Sequence, residues 1–273
     1  MTLTSHLELL SNGDMDETEY RSHAAVSHSL LKEFGKSPAH FRFAVDNPVA
    51  ETEAMLRGTL IHCMALEPQE LHARFVRATD CDRRTKAGKE QWAKLQEESV
   101  GKRLIPAGMW DLAERCVSSL ERDIETAMWL DEARSGQIEK PLFWQRQSVD
   151  CKGRPDSVLD DGTVIDIKTT QNCYPAFFSA ELFRRSYHTQ GAFYRSGLLA
   201  AGGKWRSHVL VCVETEAPYA VAVFRLNIDV IGDADGKIAE WIDQYRRCRE
   251  LDQWPGYGLT EVATPRWAMA EAR

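Results

Sequence analysis

Apolar positions in the first half of the chain recur with the period of an α-helix. The spacing predicts amphipathic helices rather than strands, because apolar side chains three and four residues apart share one helix face. The predicted helical segments are 27–36, a second helix opened by Pro38, 51–67, about 89–98 beyond a mobile basic loop, and 106–133. Residues 1–24 are polar, acidic and without clear period, which predicts a loosely ordered arm.

From residue 137 the pattern changes to short alternating or continuously apolar runs, which are typical of strands. Predicted strands are 137–149, a hairpin within 151–170, 207–215 and 219–227, with helices at 174–201 (in two pieces) and 233–251. Strands interleaved with helices favour an α/β fold. We therefore predict one domain, residues 25–273, with a central mixed sheet flanked by helices and an N-terminal helical subregion.

The hairpin has an unusual distribution of polar residues. Val164, Asp166 and Lys168 share one face of the predicted strand, while Ile165 and Ile167 share the other. An acid and a lysine on the front of an apolar strand suggest chemistry rather than packing alone. The alternative is a surface hairpin with an ordinary Lys–Asp pair, which any D-x-K triplet can form.

The loop length decides which side chains meet. A three-residue loop, Asp160-Asp161-Gly162 with Gly162 in the left-handed conformation, places Asp156 opposite Asp166. A two-residue Asp161-Gly162 loop would pair Asp156 with Ile167 and send the carboxylates to opposite faces. The chemistry below requires the three-residue loop, so this register is itself a prediction.

Two adjacent carboxylates repel by ~4 kcal/mol at ~4 Å and an effective dielectric of ~20. Lys168 offsets part of that repulsion, and a hard divalent cation such as Mg²⁺ offsets it fully. Asp156, Asp166, a cation and Lys168, which can orient or deprotonate a bound water, would together suit phosphodiester hydrolysis.

Composition argues against several classes of protein and of metal site. The seven cysteines are scattered without any C-x-x-C, which argues against a disulfide framework, a zinc knuckle and an iron–sulfur nuclease, and favours a reducing cytoplasm. No apolar run approaches a membrane span, and no signal peptide is evident. The net charge of −7 is unfavourable for DNA binding unless basic clusters compensate. The candidate clusters are Arg83, Arg84, Lys86 and Lys89; Arg184 and Arg185; and Arg246, Arg247 and Arg249.

The hairpin resembles the core of the PD-(D/E)XK nuclease superfamily: G-R-P-D at 153–156 and D-I-K-T-T at 166–170. More narrowly, the chain resembles the RecE (exodeoxyribonuclease VIII) branch. Further matching motifs, in the same order, are SHSLLKEFGKSPAHF (27–41), LRGTLIHCMALEP (56–68), IEKPLFW (138–144) and YHTQGAFYRSG (187–197). The resemblance implies a 5′→3′ exonuclease acting on linear duplex DNA, two Mg²⁺ ions (or Mn²⁺), a ring-shaped homotetramer, and a RecT-like annealing protein that receives the 3′ strand.

The resemblance also implies roles for particular residues. From spacing alone His62 would be a histidine hydrogen-bonded to a neighbouring carbonyl, but the family's G-x-x-x-H helix delivers a metal-site histidine. Glu139, otherwise an exposed strand glutamate, becomes a further acid, and Ile167 contributes its backbone carbonyl to a metal. Gln190 and Tyr194, four residues apart on a helix, correspond to a Q-x-x-x-Y motif that supports the site or the DNA.

Lys152 and Arg154 are alternate residues in the approach to Asp156, and they could face either phosphate or solvent. Other functions stay open at this point: an endonuclease or single-strand nuclease of the same superfamily, or a DNA-binding or assembly protein without catalysis.

Overall fold

The computed structural model describes residues 15, 17–79, 81–82 and 84–264. Its helices are α1 (Glu17–Ser22), α2 (His28–Leu31), α3 (Pro38–Asp46), α4 (Glu53–Leu66), α5 (Leu71–Arg74), α6 (Lys86–Glu98), α7 (Ala107–Arg122), α8 (Ile124–Ser135), α9 (Pro175–Arg184), α10 (Tyr187–Ala200) and α11 (Ile228–Leu251). Its strands are β1 (Val26–Ser27), β2 (Phe75–Arg77), β3 (Arg103–Ile105), β4 (Gln137–Ile138), β5 (Leu142–Arg146), β6 (Val149–Gly153), β7 (Ser157–Val158), β8 (Thr163–Thr170), β9 (Ser207–Glu214) and β10 (Val221–Arg225).

A five-stranded mixed sheet in the order β10-β9-β8-β7-β4 organises the fold. Within it β8 and β9 run parallel, and the other neighbours are antiparallel. A three-stranded sheet, β1-β6-β5, lies beside it. None of the described helices is both long and apolar enough to cross a membrane. The predicted α/β architecture with a central mixed sheet is confirmed.

Helices cover both faces of β8. Ile165 and Ile167 belong to a core cluster with residues of α4, α7 and α8, such as Leu60 and Leu120. Val164 belongs to a second cluster on the opposite face. The second cluster includes Phe193, Ile238 and Ile242 from α10 and α11. Because both faces are packed, the polar side chains of β8 are enclosed and need specific partners.

The predicted hairpin register is confirmed. Ser157 pairs with Ile165 and Val158 with Val164, which places Asp156 across from Asp166 in the same register. The Leu159 N–H donates to the Thr163 carbonyl at 2.9 Å, so the loop consists of residues 160–162. Gly162 has φ +86°, and an added Cβ would lie 2.3 Å from the Lys204 carbonyl oxygen. Both the backbone conformation and this close approach require glycine.

The long helix predicted for 106–133 is wrong, because the chain breaks at Asp123. That residue is extended (φ −79°, ψ 131°), and its carboxylate accepts the Thr126 N–H at 3.0 Å, so it caps α8. The Thr126 hydroxyl donates to the Leu120 carbonyl at 2.6 Å and satisfies the end of α7. Ile124, an apolar residue inside that predicted helix, is 90% exposed. Local side-chain caps compete successfully with helix continuation here.

Smaller differences concern the ends of elements and two short strands that the sequence does not predict. β2 and β3 form a parallel pair on either side of the predicted basic loop and the helix near residue 89. α6 begins at Lys86, since the Thr85 hydroxyl caps it. α11 begins at Ile228 rather than 233, since Asn227 caps it. Ser27 occupies the N-cap position of α2, but its side chain makes no capping bond.

The N-terminal arm is not uniformly irregular. Residues 1–14 and 16 lie outside the described part of the chain, but 17–22 form α1. The Lys152 ammonium donates to the carbonyls of Tyr20 (2.6 Å), Arg21 (3.1 Å) and His23 (2.8 Å). A cation at the C-terminal end of a helix satisfies carbonyls that lack partners within the helix. The sequence suggested phosphate or solvent for Lys152; its ammonium instead holds the arm against β6.

We expect the Lys152→Met substitution to release α1, because methionine keeps the apolar stem and removes all three donors. Losing ~1.4 kcal/mol of docking free energy would raise the undocked fraction about tenfold. Limited trypsin digestion should then cut after Arg21 about tenfold faster, as measured by mass spectrometry of the early products. The matched control is K140M, at an exposed lysine. Equal cleavage rates in K152M and wild type would contradict the role given to Lys152.

His28 makes the fold sensitive to acid. Its Nε2 lies 2.9 Å from the Thr189 hydroxyl in the core, and burial, with Lys32 nearby, lowers the pKa of His28 from 6.5 to about 3. Between these values the unfolded chain takes up a proton that the folded chain excludes, so stability falls as pH drops below 6.5. At pH 5 this histidine should cost the folded state about 2 kcal/mol relative to pH 7.5.

The H28Q substitution should remove this cost, since glutamine can bond to Thr189 without titrating. Urea unfolding at pH 7.5 and pH 5 should show a pH-dependent loss about 2 kcal/mol smaller in H28Q than in wild type. The control variant, H72Q, changes an exposed histidine and should resemble wild type. If H28Q and wild type lose the same stability between the two pH values, the buried neutral state of His28 is wrong.

Candidate active site

Three side chains from separate parts of the sequence converge beside β8. One ligand atom from each of His62, Glu139 and Asp156 lies within 4.8 Å of the other two. His62 Nδ1 is 3.3 Å from Asp156 Oδ2, and these two side chains are 21% and 13% exposed. One imidazole and two carboxylates, enclosed but still reachable from solvent, can serve as a divalent metal site.

The local backbone fixes each of these side chains. α4 carries His62, capped at its start by Thr52, and an added Cβ at Gly58, one turn earlier, would meet nothing within 4 Å. Glu139 was predicted to lie on a strand, but it follows β4 in a left-handed conformation (φ +47°). Its N–H donates to the Asp156 carbonyl at 3.0 Å, which ties the two acids together through the backbone.

Asp166 lies apart from the three-residue group. Its Oδ2 is 2.6 Å from His208 Nε2 and 3.7 Å from the Lys168 ammonium, and its Oδ1 is 3.4 Å from the Asp156 N–H. Asp156 has separate partners, with its Oδ2 accepting the Ile167 N–H at 2.7 Å. Each aspartate carboxylate therefore has its own hydrogen-bond donors within the protein.

Electrostatics sets the charge states of these groups. Burial alone would lower the pKa of His62, but the Asp156 carboxylate raises that pKa above its usual value. Burial raises the pKa of Glu139. Burial opposes the charged forms of Asp166 and Lys168, but their mutual attraction lowers the pKa of Asp166 and raises that of Lys168. Lys168 is therefore an ammonium at neutral pH, suited to orienting a water or a phosphate rather than to removing a proton.

α10 supports the strand that leads into Asp156. Gln190 Nε2 donates to the Tyr194 hydroxyl at 3.2 Å, and that hydroxyl donates to the Arg154 carbonyl at 3.2 Å. The Arg154 guanidinium turns back, with its Nε 3.4 Å from Glu139 Oε2. The structure thus brings all three predicted supporting residues to the site. Gln190 Oε1 is buried without a hydrogen-bond partner among the described residues.

Two neighbouring cavities lie beside this site. The α1 cavity, about 760 Å³, is bordered by α1, and the β8 cavity, about 440 Å³, is bordered by β8 and by His62. Tyr187 and Gln190 line both cavities, which together are called the cleft below. No acid is present among the described residues that line either cavity. The basic residues that line them are Arg21, Lys32, Arg57, Lys152, Arg154, Lys168 and Arg185.

Most of the predicted basic clusters serve other purposes. Arg84 pairs with Asp82, Lys86 lies 3.9 Å from Glu90, and Arg184 and Arg185 both bond to Glu181. Arg246 and Arg247 pair with Asp243, and Arg249 lies over the Tyr245 ring. Arg83 is outside the described residues. Of these clusters, Arg185 alone, among the described members, borders the cleft.

His208 was missed from the sequence. It is fully buried on β9 and bonded to Asp166, immediately before a run of apolar residues (209–213) that predicted an ordinary buried strand. A histidine at the start of a buried apolar strand was the available signal. Its importance depends on the pairing of β8 with β9, which the sequence does not specify.

The chain is similar to one described protein family and to several solved structures. The family model described as a PDDEXK-like domain of unknown function (DUF3799) matches residues 27–264. A search of curated proteins finds no match to the chain. Among solved structures, a protein described as a candidate exonuclease from Eubacterium rectale is similar, with a TM-score of 0.63 and 12% identity. That alignment covers 95% of this chain and 100% of the other, so it shows a shared fold.

An alkaline exonuclease from Laribacter hongkongensis matches more distantly, with a TM-score of 0.31 and 13% identity over 62% of this chain and 84% of that one.

The family model spans the site in full, from the segment before α2 to the residues beyond α11. The mixed sheet, the D-I-K segment on β8 with Asp156 of G-R-P-D across from Asp166, and the His62–Glu139–Asp156 cluster agree with its description. This chain therefore belongs to the DUF3799 family of PDDEXK-like domains.

Proposed function

We propose that this protein is a divalent-metal-dependent nuclease that hydrolyses phosphodiester bonds of DNA. One observation carries the proposal: the donor atoms of His62, Glu139 and Asp156 lie within 4.8 Å of one another at the edge of a cleft, with Lys168 nearby on β8. Oxygen-rich donor sets of this kind bind Mg²⁺ or Mn²⁺. A cation bound there supplies Lewis-acid stabilisation and a more acidic water.

The residues of the site would have separate roles in the reaction. His62, Glu139 and Asp156 hold the cation, with Asp166 and the backbone carbonyl of Ile167 as further ligands, in particular for a second ion. The Lys168 ammonium orients the attacking water or a phosphate oxygen. Gln190 and Tyr194 fix the backbone at Arg154, and thereby the start of the segment that carries Asp156.

The charge distribution favours a phosphate substrate. The chain carries a net charge of −7, yet the described residues lining the cleft include arginines and lysines and no acid. Arg57 borders the β8 cavity, and its buried Nε has no hydrogen-bond partner among the described residues. Local positive charge compensates for an unfavourable net charge, because phosphate contacts dominate affinity for DNA.

The finer proposal is a 5′→3′ exonuclease acting on linear double-stranded DNA. It leaves a 3′ single strand for a RecT-like annealing protein, within a cytoplasmic recombination system of a bacterium or phage. We further propose that residues 25–273 form one catalytic domain and that four copies assemble as a ring. These proposals rest on the motif resemblance in the sequence and on the basic cleft.

The test uses purified full-length protein with linear and closed circular duplex DNA, each with Mg²⁺, Mn²⁺ or EDTA. Metal-dependent release of mononucleotides from linear DNA alone supports the exonuclease. Nicked circles identify an endonuclease, and bound but uncut DNA identifies a binding protein. Both of these outcomes overturn the exonuclease proposal. Substrates labelled at the 5′ or the 3′ end then decide direction, and sedimentation decides the oligomeric state.

A further inference from the structure

His208 lies at the centre of the sheet, where polar groups are rare. In the parallel β8–β9 register Val164 pairs with His208 and Asp166 with Leu210, so His208 is the diagonal neighbour of Asp166 on the next strand. His208 and Asp166 side chains are 0% and 1% exposed. A polar pair so deeply buried is costly unless its hydrogen bonds are satisfied, so its presence needs an explanation.

The contacts of Asp166 restrict its carboxylate to one orientation. Oδ2 is held between His208 Nε2 at 2.6 Å and the Lys168 ammonium at 3.7 Å. Oδ1 points towards Asp156, with a longer approach of 3.4 Å to that residue's N–H. Since an ionised carboxylate can only accept, His208 donates through Nε2–H. Oδ2 is thereby occupied by the protein, and Oδ1 faces the metal-binding group.

The histidine is itself held in place by α10. An added Cβ at Gly191 would lie 2.8 Å from His208 Nδ1, so the helix approaches the imidazole closely. The Tyr194 ring is parallel to the imidazole (interplanar angle 6°), with centroids 6.2 Å apart. Nδ1 has no hydrogen-bond partner among the described residues, so packing and the single bond to Asp166 fix the ring.

We propose that His208 is a positioning residue for catalysis, which aims Asp166 Oδ1 at the cation and keeps Oδ2 beside Lys168. The inference rests on the proposed function, but it names a residue and a strand that carry none of the recognised nuclease motifs. Hydrogen bonds from neighbouring groups orient metal-ligating side chains, and their loss costs about 10- to 100-fold in metal affinity or activity. An apolar residue of equal volume could fill the space but could not hold the carboxylate.

Three substitutions test the proposal. The side-chain amide of glutamine can place an N–H near the position of Nε2, and that of asparagine near Nδ1, whereas leucine provides no donor. We expect H208Q to keep kcat and Mn²⁺ affinity within about threefold of wild type, and H208N and H208L to lose about 10- to 100-fold in both. A purely packing role would instead affect H208Q and H208N alike and favour H208L.

Mn²⁺ affinity measured by calorimetry separates this inference from the proposed function. If wild type binds Mn²⁺ but cleaves no DNA, the nuclease proposal fails, while the order of affinities among the variants still decides the role of His208. Equal affinity and kcat in H208Q, H208N and wild type would overturn the inference. If H208N and H208L do not fold, H208Q alone decides: near wild-type values support the role, and a folded H208Q that has lost more than tenfold overturns it.

Discussion

The Asp156→Asn substitution should abolish metal-dependent DNA cleavage, with a loss of kcat of about 1,000-fold or more. Asp156 Oδ2 contacts two other groups of the site: it is 3.3 Å from His62 Nδ1, and it accepts the Ile167 N–H at 2.7 Å. Asparagine keeps an oxygen acceptor for Ile167 but removes the charge that holds a cation. Losing ~4 kcal/mol of electrostatic stabilisation corresponds to about 1,000-fold in rate.

The measurements are initial rates on linear duplex with Mg²⁺ and Mn²⁺, together with Mn²⁺ binding by calorimetry. D160N is the matched control, since Asp160 is an exposed acid in the same hairpin. D156N should bind Mn²⁺ much more weakly than D160N, with both variants folded by circular dichroism. Retention of Mn²⁺ affinity and cleavage in D156N would show that the His62–Glu139–Asp156 group is not the metal site.

The Lys168→Met substitution should lower kcat by about 100-fold or more while leaving Mn²⁺ binding within a few fold. Asp166 and Asp156 together raise the pKa of Lys168 against the effect of burial, so the native side chain is charged. Its ammonium is 3.7 Å from Asp166 Oδ2 and lies over the Tyr187 ring at 5.1 Å, which fixes its position at the β8 cavity. Groups that orient or exchange protons with the reacting water contribute ~100- to 10,000-fold.

K168M also tests the structural cost of the site. Removing one partner of a buried ion pair typically costs ~3–5 kcal/mol, although the His208 bond to Asp166 remains and should limit the loss. Urea unfolding establishes the folded fraction, and K204M, at an exposed lysine, is the control. A folded K168M that cleaves DNA at the wild-type rate would remove Lys168 from the proposed chemistry.

Hydrophobic pattern and turn chemistry predicted much of the fold. Alternating and continuous apolar runs located the strands around Asp166 and in 207–227, because side-chain burial repeats every two residues in a strand. Gly162 located the hairpin loop, since a left-handed position in a short loop strongly favours glycine. The register was chosen between two loop lengths because the proposed chemistry requires Asp156 opposite Asp166. The helix break at Asp123 was not predicted, because a periodic apolar stripe contains no information about a side chain that caps the following turn.

The candidate site was predicted less completely. Motif spacing selected Asp156, Asp166 and Lys168, and resemblance added His62 and Glu139. The sequence did not separate these acids, and the structure does: Glu139 joins His62 and Asp156, whereas Asp166 lies outside that group, with its Oδ2 bonded to His208 and its Oδ1 towards Asp156. Lys152 likewise suggested phosphate contact, and its ammonium holds α1 instead.

By itself the sequence determined most of the elements, the position of the hairpin loop and the residues able to do chemistry, since these depend on neighbours along the chain. Only the tertiary structure decided which of them meet. His208 is 42 positions from Asp166 in the sequence. His62 and Glu139 are separated in the sequence by α6, α7 and α8. Loop paths and sheet order therefore determine both contacts. The physical reason is that a carboxylate's orientation depends on donors from every strand and helix around it, and these come from distant parts of the chain.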